Sequence, residues 1–315
     1  MNRRILFITP GLTRGGAETQ LVKVARYLRT QQIEVGIIAL KPLNDFKNVD
    51  FEGEGISVFF FEDWKRRFLG NTRQLFKLVK QYKPDVVVAF MFIAIIFARV
   101  LKLRYKFQLV SSIRSSVISN KWRHAFKFTA GLDDVVVYNS KASKNSFETR
   151  SLVKSDGIII NNAVSIPAVD PPSQIVADTK PFVWVTMAHF RAAKDYPTLF
   201  KAIALLKDEN VRLDCLGHIR EEWPYQMIRE LGIEDKVRIL GFKSNTGDYL
   251  KQADAFVLST FWEGSPNSML EAMSYYKPVV ASAVNGIEEF LPESGGGFLA
   301  KSMSVEDLAE KMLKV

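Results

Sequence analysis

Reactive side chains are scarce in this chain of 315 residues, which contains one cysteine and three histidines. A single thiol cannot form an internal disulfide, so Cys215, in the apolar run Val211–Leu216, is expected to be a buried, reduced strand residue. No His/Cys cluster has the spacing of a metal site, and no Asp-x-Asp pair is present to hold a metal-bound diphosphate. The sequence therefore predicts chemistry that needs no metal ion and no cofactor.

Long apolar runs are also lacking. The most apolar segment, Phe90–Ala98, is closed by Arg99 and is far shorter than the roughly 18 residues that span a bilayer. The apolar run near the chain start is too short for a signal peptide. No Gly-x-Gly-x-x-Gly follows a strand, which weakens a dinucleotide oxidoreductase interpretation, and no nucleophile elbow is present. We therefore expect a cytoplasmic protein.

Charge is divided unevenly along the chain. Residues 1–166 hold 27 Lys and Arg against 13 Asp and Glu, a net charge of +14, whereas residues 167–315 hold 16 against 21, a net charge of −5. This asymmetry predicts that the first half alone meets an anionic partner. Nucleic acid fits poorly, because no helix-turn-helix, zinc-finger or RNA-binding aromatic signature is present. An anionic membrane surface is the better prediction.

Two stretches of the first half, residues 64–68 and 121–128, mix cations with aromatic rings. In the second stretch, Trp122, Phe126 and Phe128 are interpreted as sharing one flank of a helix. Rings beside lysines and arginines suit the headgroup boundary of an acidic leaflet, so we expect peripheral docking on the inner face of the membrane. Packing of the same rings in the core is the alternative.

Strand and helix patterns alternate along the whole chain, which predicts parallel sheets with helices on both faces. Prolines in residues 167–181 indicate a linker between a domain at 1–166 and another at 182–315. The expected fold class is α/β, with two doubly wound, Rossmann-like domains that bind ligand between the carboxyl edges of their strands. The predicted strands are Arg4–Thr9, Glu34–Leu40, Ser57–Phe61, Asp85–Phe90, Gln108–Ser112, Val135–Tyr138, Phe182–Met187, Val211–Leu216, Val237–Leu240, Ala255–Leu258 and Val279–Ser282.

The most informative stretch is 259–278, where an apolar strand feeds a short polar loop and then a helix. Ser265 is a favoured N-cap, and Pro266 suits the first helical position, where no N–H is needed. The Lys277-Pro278 pair is predicted to end the helix. The apolar residues at helical spacing, which should face the core, are Leu270, Met273 and Tyr276.

Two carboxylates bracket the start of this helix. Glu263 lies in the loop, and Glu271 lies about 7–8 Å along the helix axis from Pro266. Between them, the free N–H groups of the first turn offer a site for phosphate. The layout fits a nucleotide-sugar, with the diphosphate on the helix N-terminus, Glu271 accepting from the ribose hydroxyls and Glu263 reaching a hexose.

These residues resemble the hallmark of the retaining glycosyltransferases of family 4, Glu-Gly-Phe-Pro-Asn followed by Leu-Glu-Ala-Met, with Ser265 in place of the usual aromatic or apolar residue. The resemblance implies the two-domain GT-B fold, with an acceptor-binding first domain and a second domain that binds a UDP- or GDP-linked sugar. It also implies donor contacts along the loop and helix start, at Gly264, Ser265, Pro266, Asn267 and Ser268.

Residues 187–195 resemble the family motif whose arginine and lysine hold the diphosphate. Charge grows on the leaving diphosphate as the glycosidic bond breaks, so a fixed cation there is worth most in the transition state. Lys194 matches the family lysine. His189 occupies the arginine position, and Arg191 follows two residues later. Because histidine is mostly neutral at pH 7, Arg191 is the favoured second charge and His189 a donor-binding residue.

Weaker matches complete the predicted site. Gly15 and Gly16 follow the first strand, begin a helix predicted from Ala17 to about Arg29, and resemble the family's Gly-Gly-Ala-Glu loop beside donor phosphate and acceptor; glycine permits φ > 0 and close approach to an anion. Gly217 and Gly241 each follow a strand, where small residues admit a ligand. Arg114 stands where relatives carry histidine or arginine. Arginine cannot act as a base, so its expected role is electrostatic or acceptor-binding.

Asn285 lies in a turn that resembles the family's Gly-Gly-Ile-Pro-Glu, and asparagine tolerates the left-handed conformation that such a turn can require. Family members usually continue past the predicted helix Val305–Lys314 into a helix that crosses back to the first domain. The sequence stops at Val315, so the resemblance leaves two alternatives, that this helix is absent or that the sequence is truncated. The resemblance implies a metal-independent retaining transferase that moves a hexosyl or N-acetylhexosaminyl unit to a glycan or lipid-linked acceptor in surface polysaccharide synthesis. An inactive nucleotide-binding module and a sugar-nucleotide epimerase on the same fold are the alternatives.

Overall fold

The computed structural model describes residues 3–13, 15–154, 156–168, 180–291 and 295–315. Contacts divide the chain into two compact units, Met1–Asn162 and Ala163–Val315. Most of the predicted linker, at residues 169–179, lies outside the described residues. Each unit is built on one parallel sheet, which confirms the predicted α/β class with two parallel-sheet domains.

A parallel sheet of seven strands organises the described part of the first unit. The strands are β1 Arg4–Thr9, β2 Glu34–Ala39, β3 Ile56–Phe60, β4 Val86–Phe90, β5 Gln108–Ile113, β6 Val135–Tyr138 and β7 Ile158–Ile159. Their spatial order is β3-β2-β1-β4-β5-β6-β7. The central strands are nearly continuous apolar runs because helices cover both faces of a parallel sheet.

Helices pack on both faces of this sheet. They are α1 Gly16–Thr30, α2 Trp64–Tyr82, α3 Phe92–Lys102, α4 Asn120–Phe128 and α5 Lys141–Glu148. Along β1, Phe7 belongs to the core under α1, whereas Leu6 and Ile8 belong to the core under the other helices. Successive strand side chains point to opposite faces of a sheet. The helix α1 therefore lies on one face, and α2 to α5 lie on the other.

A buried ion pair ties α3 to the segment before β6. The side chains of Arg99 and Asp133 are 0% and 1% exposed, and Nη2 lies 2.5 Å from Oδ2. Arg99 also donates to the carbonyl of Phe126 and to Oγ1 of Thr129, while Asp133 accepts from the hydroxyl of Ser111. The charged residue that closes the apolar segment of the sequence is thus a core residue with its hydrogen bonds satisfied.

The second unit has a parallel sheet of six described strands. They are β8 Phe182–Met187, β9 Val211–Leu216, β10 Val237–Gly241, β11 Ala255–Leu258, β12 Val279–Ala283 and β13 Gly297–Lys301. Their order is β10-β9-β8-β11-β12-β13, and Cys215 is fully buried in β9, as predicted. Every predicted strand of the chain is found within about one residue at each end, whereas β7 and β13 were not predicted.

The helices of the second unit also cover both faces of its sheet. They are α6 Tyr196–Leu205, α7 Trp223–Leu231, α8 Thr246–Gln252, α9 Asn267–Ser274 and α10 Val305–Leu313. The helices α8 and α9 share one core cluster, and α6, α7 and α10 share the other. The Ser304 hydroxyl accepts from the N–H of Asp307 at 3.3 Å and caps α10.

The aromatic residues of α4 do not form one exposed flank, so that prediction is wrong. Phe126 is 0% exposed and packs edge-on against Phe92 and Phe147, whereas Phe128 is 90% exposed. Residues two apart on a helix point about 200° away from each other, so Phe126 and Phe128 cannot share a face. Trp122 is half-buried against the same core. In the described part of the chain, no helix has the length and apolarity to cross a membrane.

Candidate active site

Two loops of the second unit meet at the carboxyl edge of its sheet, where the strand order reverses between β8 and β11. The N–H of Asp195, in the loop after β8, donates to the carbonyl of Ser259, after β11, at 3.1 Å. The N–H of Phe261 returns a bond to the carbonyl of Ala193 at 3.0 Å. Ligands of doubly wound sheets bind at such a reversal point. The fold therefore brings two sequence-predicted loops together there.

Lys194 and Glu263 form an ion pair across these loops. The Lys194 ammonium donates to Oε1 of Glu263, and the two side chains are only 21% and 14% exposed. Partial burial strengthens their attraction, since the effective dielectric constant is below that of water. The sequence assigns the lysine to the diphosphate and the glutamate to the sugar. The structure places the two groups against each other, so each orients the other.

The helix α9 begins one residue later than predicted. Pro266 is the N-cap residue, with φ −82° and ψ 79°, and no side chain caps the helix. The Ser265 hydroxyl is buried without a hydrogen-bond partner among the described residues, so its predicted N-cap role is wrong. The N–H groups of Ser268 and Met269 also meet no acceptor in the described part of the chain. Such free N–H groups at a helix start suit an anion.

The end of α9 also differs from the prediction. The helix stops at Ser274, and Tyr276 takes a left-handed conformation, φ 58°, and is exposed. The N–H of Lys277 bonds back to the carbonyl of Ala272 at 3.1 Å, which closes the helix before Pro278 is reached. The prediction that Tyr276 faces the core is therefore wrong. The fully buried residues of α9 are Met269 and Ala272, and those half-buried beside them are Leu270 and Met273.

Glu271 lies on the fifth position of α9 and has a partner that the sequence did not indicate. The hydroxyl of Thr246, the first residue of α8, donates to Oε1 of Glu271 at 2.6 Å. Both residues are half-buried. A bond this short to a carboxylate fixes the position of one oxygen. Thr246 therefore orients the carboxylate that is predicted to hold the ribose.

An aromatic cluster stands at the carboxyl ends of β8, β9 and β10. His218 stacks on Phe242 with ring centroids 4.4 Å apart, and His189 packs against both rings. Nδ1 of His189 accepts from the N–H of His218 at 3.1 Å, so that nitrogen carries no proton. The Arg191 side chain is exposed in the same loop. Arg191 remains the predicted second cation.

The predicted glycines of this edge serve the protein backbone. A Cβ on Gly217 would lie 2.0 Å from the carbonyl oxygen of Ala188, so only glycine lets the loop after β8 pack there. Gly241 has φ +71°, which suits glycine. In the turn after β12, Gly286 takes the left-handed conformation, with φ +89°. Asn285 is not among the described residues with a positive φ. Position 286 suits glycine because a Cβ there would lie 2.5 Å from the carbonyl oxygen of Glu263.

The predicted residues of the first unit lie at the carboxyl edge of its own sheet. Gly15 precedes α1 with φ −103° and ψ 167°, and Gly16 is the first helical residue, so Gly15 does not use a left-handed conformation. Arg114 directly follows β5, and its guanidinium lies over the ring of Phe90, with Cζ 5.0 Å from the centroid. Burial lowers the pKa of Arg114 to about 10.

No group of three metal-ligating side chains occurs among the residues that the structure describes. Sequence reasoning did not identify Thr246 or Phe242 as parts of the site, and it included Gly286 in the family-like turn without assigning it the left-handed conformation. Gly286 offered a usable signal, since glycine beside asparagine favours the glycine for a left-handed turn. Thr246 gave none, because its partner lies 25 residues away along the chain.

The chain has two doubly wound units, and the second contains a lysine–glutamate pair beside an uncapped helix start. This arrangement is typical of a GT-B glycosyltransferase. The crystal structure of Anabaena HepE in complex with UDP-glucose has this fold, with a TM-score of 0.83 and 20% identity, over 99% of this chain and 89% of that chain. The family profile described as Glycosyltransferase Family 4 matches residues 14–166, and Glycosyl transferases group 1 matches residues 172–315. The chain therefore belongs to the GT-B glycosyltransferases of the family 4 type, which confirms the resemblance.

Curated relatives are distant but extend over much of the chain. An uncharacterized glycosyltransferase of Methanocaldococcus jannaschii is 22% identical over 70% of this chain, which spans 60% of that protein's length. The N,N'-diacetylbacillosaminyl-diphospho-undecaprenol alpha-1,3-N-acetylgalactosaminyltransferase of Campylobacter jejuni is 26% identical over 69% of this chain and 63% of its own length. The lipopolysaccharide 1,6-galactosyltransferase of Escherichia coli is 25% identical over 90% of this chain and 81% of its own length.

Proposed function

We propose that this glycosyltransferase moves a hexosyl or N-acetylhexosaminyl unit, with retention of configuration, from a nucleotide-sugar to a glycan or lipid-linked acceptor. The observation that carries the proposal is the Lys194–Glu263 pair, beside an α9 start that no side chain caps. Cation, N–H donors and carboxylate together match a leaving diphosphate and a sugar. The matched glycosyltransferase family and the UDP-glucose of the HepE structure support a nucleotide-sugar as the donor.

The proposed reaction exchanges one bond at the anomeric carbon for another. The bond from C1 to the diphosphate oxygen breaks, an acceptor oxygen bonds to C1 on the same face, and a donor phosphate oxygen takes the acceptor proton. Negative charge grows on the diphosphate, where Lys194 and Arg191 stabilise it most in the transition state. Glu263 accepts from sugar hydroxyls, and Glu271 from ribose hydroxyls. No protein base is needed, and no metal is proposed.

Surface glycan synthesis is the process that the relatives favour. Their names include a lipopolysaccharide galactosyltransferase and an enzyme acting on a diphospho-undecaprenol-linked sugar. A uridine nucleotide is the first donor to try, because the HepE structure holds UDP-glucose; GDP-linked sugars are second. For this chain we propose a lipid-linked or glycan acceptor of the same general class.

We further propose that the enzyme acts in the cytoplasm, peripherally on the inner face of an anionic membrane. The face of the first unit that carries α2 to α5 exposes bulky apolar residues, namely Phe68 and Leu69 on α2, Val100 on α3, Leu103 after it, and Phe128 on α4. Exposed cations on the same helices are Arg66, Arg73 and Lys77 on α2, and Arg123 and Lys127 on α4. Apolar groups among cations favour an acidic lipid surface. The docking hypothesis therefore rests on these exposed residues and not on Phe126, which is buried.

A panel of UDP- and GDP-linked sugars tests the proposed transfer. Release of nucleoside diphosphate is measured with lipid-linked and soluble glycan acceptors, with and without EDTA. At least one donor should be turned over, at a rate that the chelator does not change. Nucleotide binding without turnover of any sugar in the panel would contradict transfer and favour a binding module.

A further inference from the structure

Arg114 is a half-buried residue whose charge is not compensated by any residue that the structure describes. It is the first residue after β5, at the carboxyl edge of the first unit's sheet. Its Nε and Nη1 atoms are buried and have no hydrogen-bond partner, and no ion pair links Arg114 to any other residue that the structure describes. Buried polar groups in native proteins are nearly always satisfied, so an exception calls for a missing water, ion or ligand.

The surroundings of Arg114 hold the guanidinium in place without neutralising it. The ring of Phe90 lies 5.0 Å from Cζ, a contact that attracts a cation but replaces only part of its hydration. The backbone carbonyl of Arg114 accepts from the side-chain amide of Asn139, which follows β6, at 3.5 Å. Asn139 is itself buried and accepts from the Ser143 hydroxyl at 3.0 Å. These bonds connect the loop after β5 to α5. The backbone that carries the Arg114 side chain is therefore held in place before an anion binds.

By contrast, Arg99, a fully buried arginine of this unit, shows what a structural role looks like. The guanidinium of Arg99 meets the carboxylate of Asp133 through two bonds and donates to two further oxygens. Arg114 has none of these partners. Because its desolvation is already incurred in the unliganded protein, an incoming anion gains nearly the full attraction of the charge.

We propose that Arg114 is an anion-binding site of the first unit, and that its ligand is the phosphate or diphosphate ester of the glycosyl acceptor. Neutral sugar hydroxyls cannot offset a buried positive charge, whereas a phosphate can. The unit's net charge of +14 favours a multiply charged ligand. The donor diphosphate already has its own predicted site in the second unit. The assignment to the acceptor rests on the proposed transfer; the anion site itself does not.

The proposal predicts that the charge of Arg114 lowers the stability of the protein without an anion, and that anion binding offsets this loss. Arg114→Met keeps the length and the contact with Phe90 but removes the charge, so it should raise the Tm of the unliganded chain. The same variant should lose part of the Tm increase that inorganic pyrophosphate produces in the parent chain. Arg114→Lys, which keeps a positive charge, should retain most of that increase. Arg150→Met, an exposed change in the same unit that is not among the residues of the proposed lipid-binding face, should alter neither quantity.

The experiment measures Tm and Kd by calorimetry for these four proteins, with inorganic pyrophosphate and with a short-chain prenyl diphosphate. Because the second unit is unchanged, only the difference between the parent and Arg114→Met reports this site. We expect both ligands to bind at least about 10-fold more weakly to Arg114→Met than to the parent. Equal affinity for parent and Arg114→Met would overturn the anion site. Dependence on Arg114 for inorganic pyrophosphate alone would overturn the acceptor assignment.

These outcomes separate the anion site from the proposed function. If no nucleotide-sugar is turned over but pyrophosphate binding depends on Arg114, glycosyl transfer fails and the anion site stands. If turnover is found and pyrophosphate binding ignores Arg114, transfer stands and the anion site fails. If Arg114 instead contacts the donor, Arg114→Lys should raise the KM for the nucleotide-sugar more than the KM for a phosphorylated acceptor, which would also overturn the proposal.

Discussion

At the scale of single residues, the candidate site consists of pairs of contacting residues that lie far apart in the sequence. Lys194 and Glu263 are 69 residues apart, and each was assigned a ligand from its own motif. Their contact means that the two charges offset each other, so a donor must share the lysine between its phosphates and Glu263. Removing one member of such a pair leaves the other uncompensated.

Lys194→Ala is expected to lower kcat more than it weakens binding of the plain nucleoside diphosphate. The lysine acts mainly on charge that develops in the transition state, where loss of one such contact costs about 2.7–4 kcal/mol, roughly 10²–10³ in rate. Arg191→Ala should behave similarly and His189→Ala more mildly, because Nδ1 of His189 is already engaged as an acceptor. Steady-state kinetics beside calorimetric nucleotide binding decide the matter. An inactive His189 variant with an unimpaired Arg191 variant would reverse the assignment of the second cation.

Glu271→Ala is expected to weaken binding of nucleoside diphosphate by about 1.5–3 kcal/mol, because a charged hydrogen-bond partner of the ribose is lost. Thr246→Val should produce a smaller loss in the same direction, whereas Thr246→Ser, which keeps the hydroxyl on Glu271, should bind like the parent. Glu263→Ala should spare the plain nucleotide and weaken the nucleotide-sugar. Calorimetry with both ligands checks this set. Equal effects of the two glutamate variants on the plain nucleotide would sink the assignment.

At the scale of helices and strands, apolar runs decided what could be predicted. Strands such as β4 and β11 are uninterrupted apolar segments, and their bounds follow from composition. The strand β7 has only two residues, and β13 is a mixed segment, Gly297–Lys301, so neither carries a clear period. The bounds of α9 were predicted incorrectly for two reasons. Pro266 is the residue before the first helical one, and Tyr276 ends the helix in a left-handed conformation. Local backbone geometry of this kind leaves little trace in residue type.

The Arg99–Asp133 pair predicts a large stability difference between two neighbouring aspartates. Asp133→Ala should destabilise the first unit by about 3–5 kcal/mol, because it leaves a buried guanidinium unpaired. Asp134→Ala removes the partly exposed partner of Lys102 and the acceptor of the Leu109 N–H, and should cost only about 1–2 kcal/mol. Urea unfolding of both variants measures the difference. Similar midpoints for the two variants would show that the buried pair does not hold α3 to the sheet.

At the scale of the whole molecule, the two units differ in charge as well as in sequence-predicted role. All 27 basic and 13 acidic residues of positions 1–166 fall within the first compact unit, so the charge asymmetry is a property of a folded domain. Residue type alone did not indicate which rings are exposed, since Phe126 and Phe128 differ in burial although both lie among lysines and arginines. Burial depends on which way each residue faces, and the fold decides that.

Binding to liposomes is expected to require anionic lipid and to fall as salt increases, because charge attraction is screened. Phe68→Ser/Leu69→Ser should weaken binding to phosphatidylglycerol vesicles, since both side chains are exposed on the α2 face. Tyr27→Ser is the matched control, because Tyr27 is exposed on α1, on the opposite face of the sheet. Co-sedimentation measures all three proteins. Equal recovery on neutral and acidic vesicles, or an equal loss in the control, would remove the proposed membrane role of this face.

The most direct test of the central claim is an NMR time course of the anomeric proton during turnover of an α-linked nucleotide-sugar. The account predicts that the parent chain forms an α-glycoside as the first product, while nucleoside diphosphate accumulates in equal amount. Lys194→Ala should form the same product far more slowly. A β-glycoside as the first product would contradict retention, and no glycoside with any donor of the panel would contradict the assignment of this protein as an active transferase.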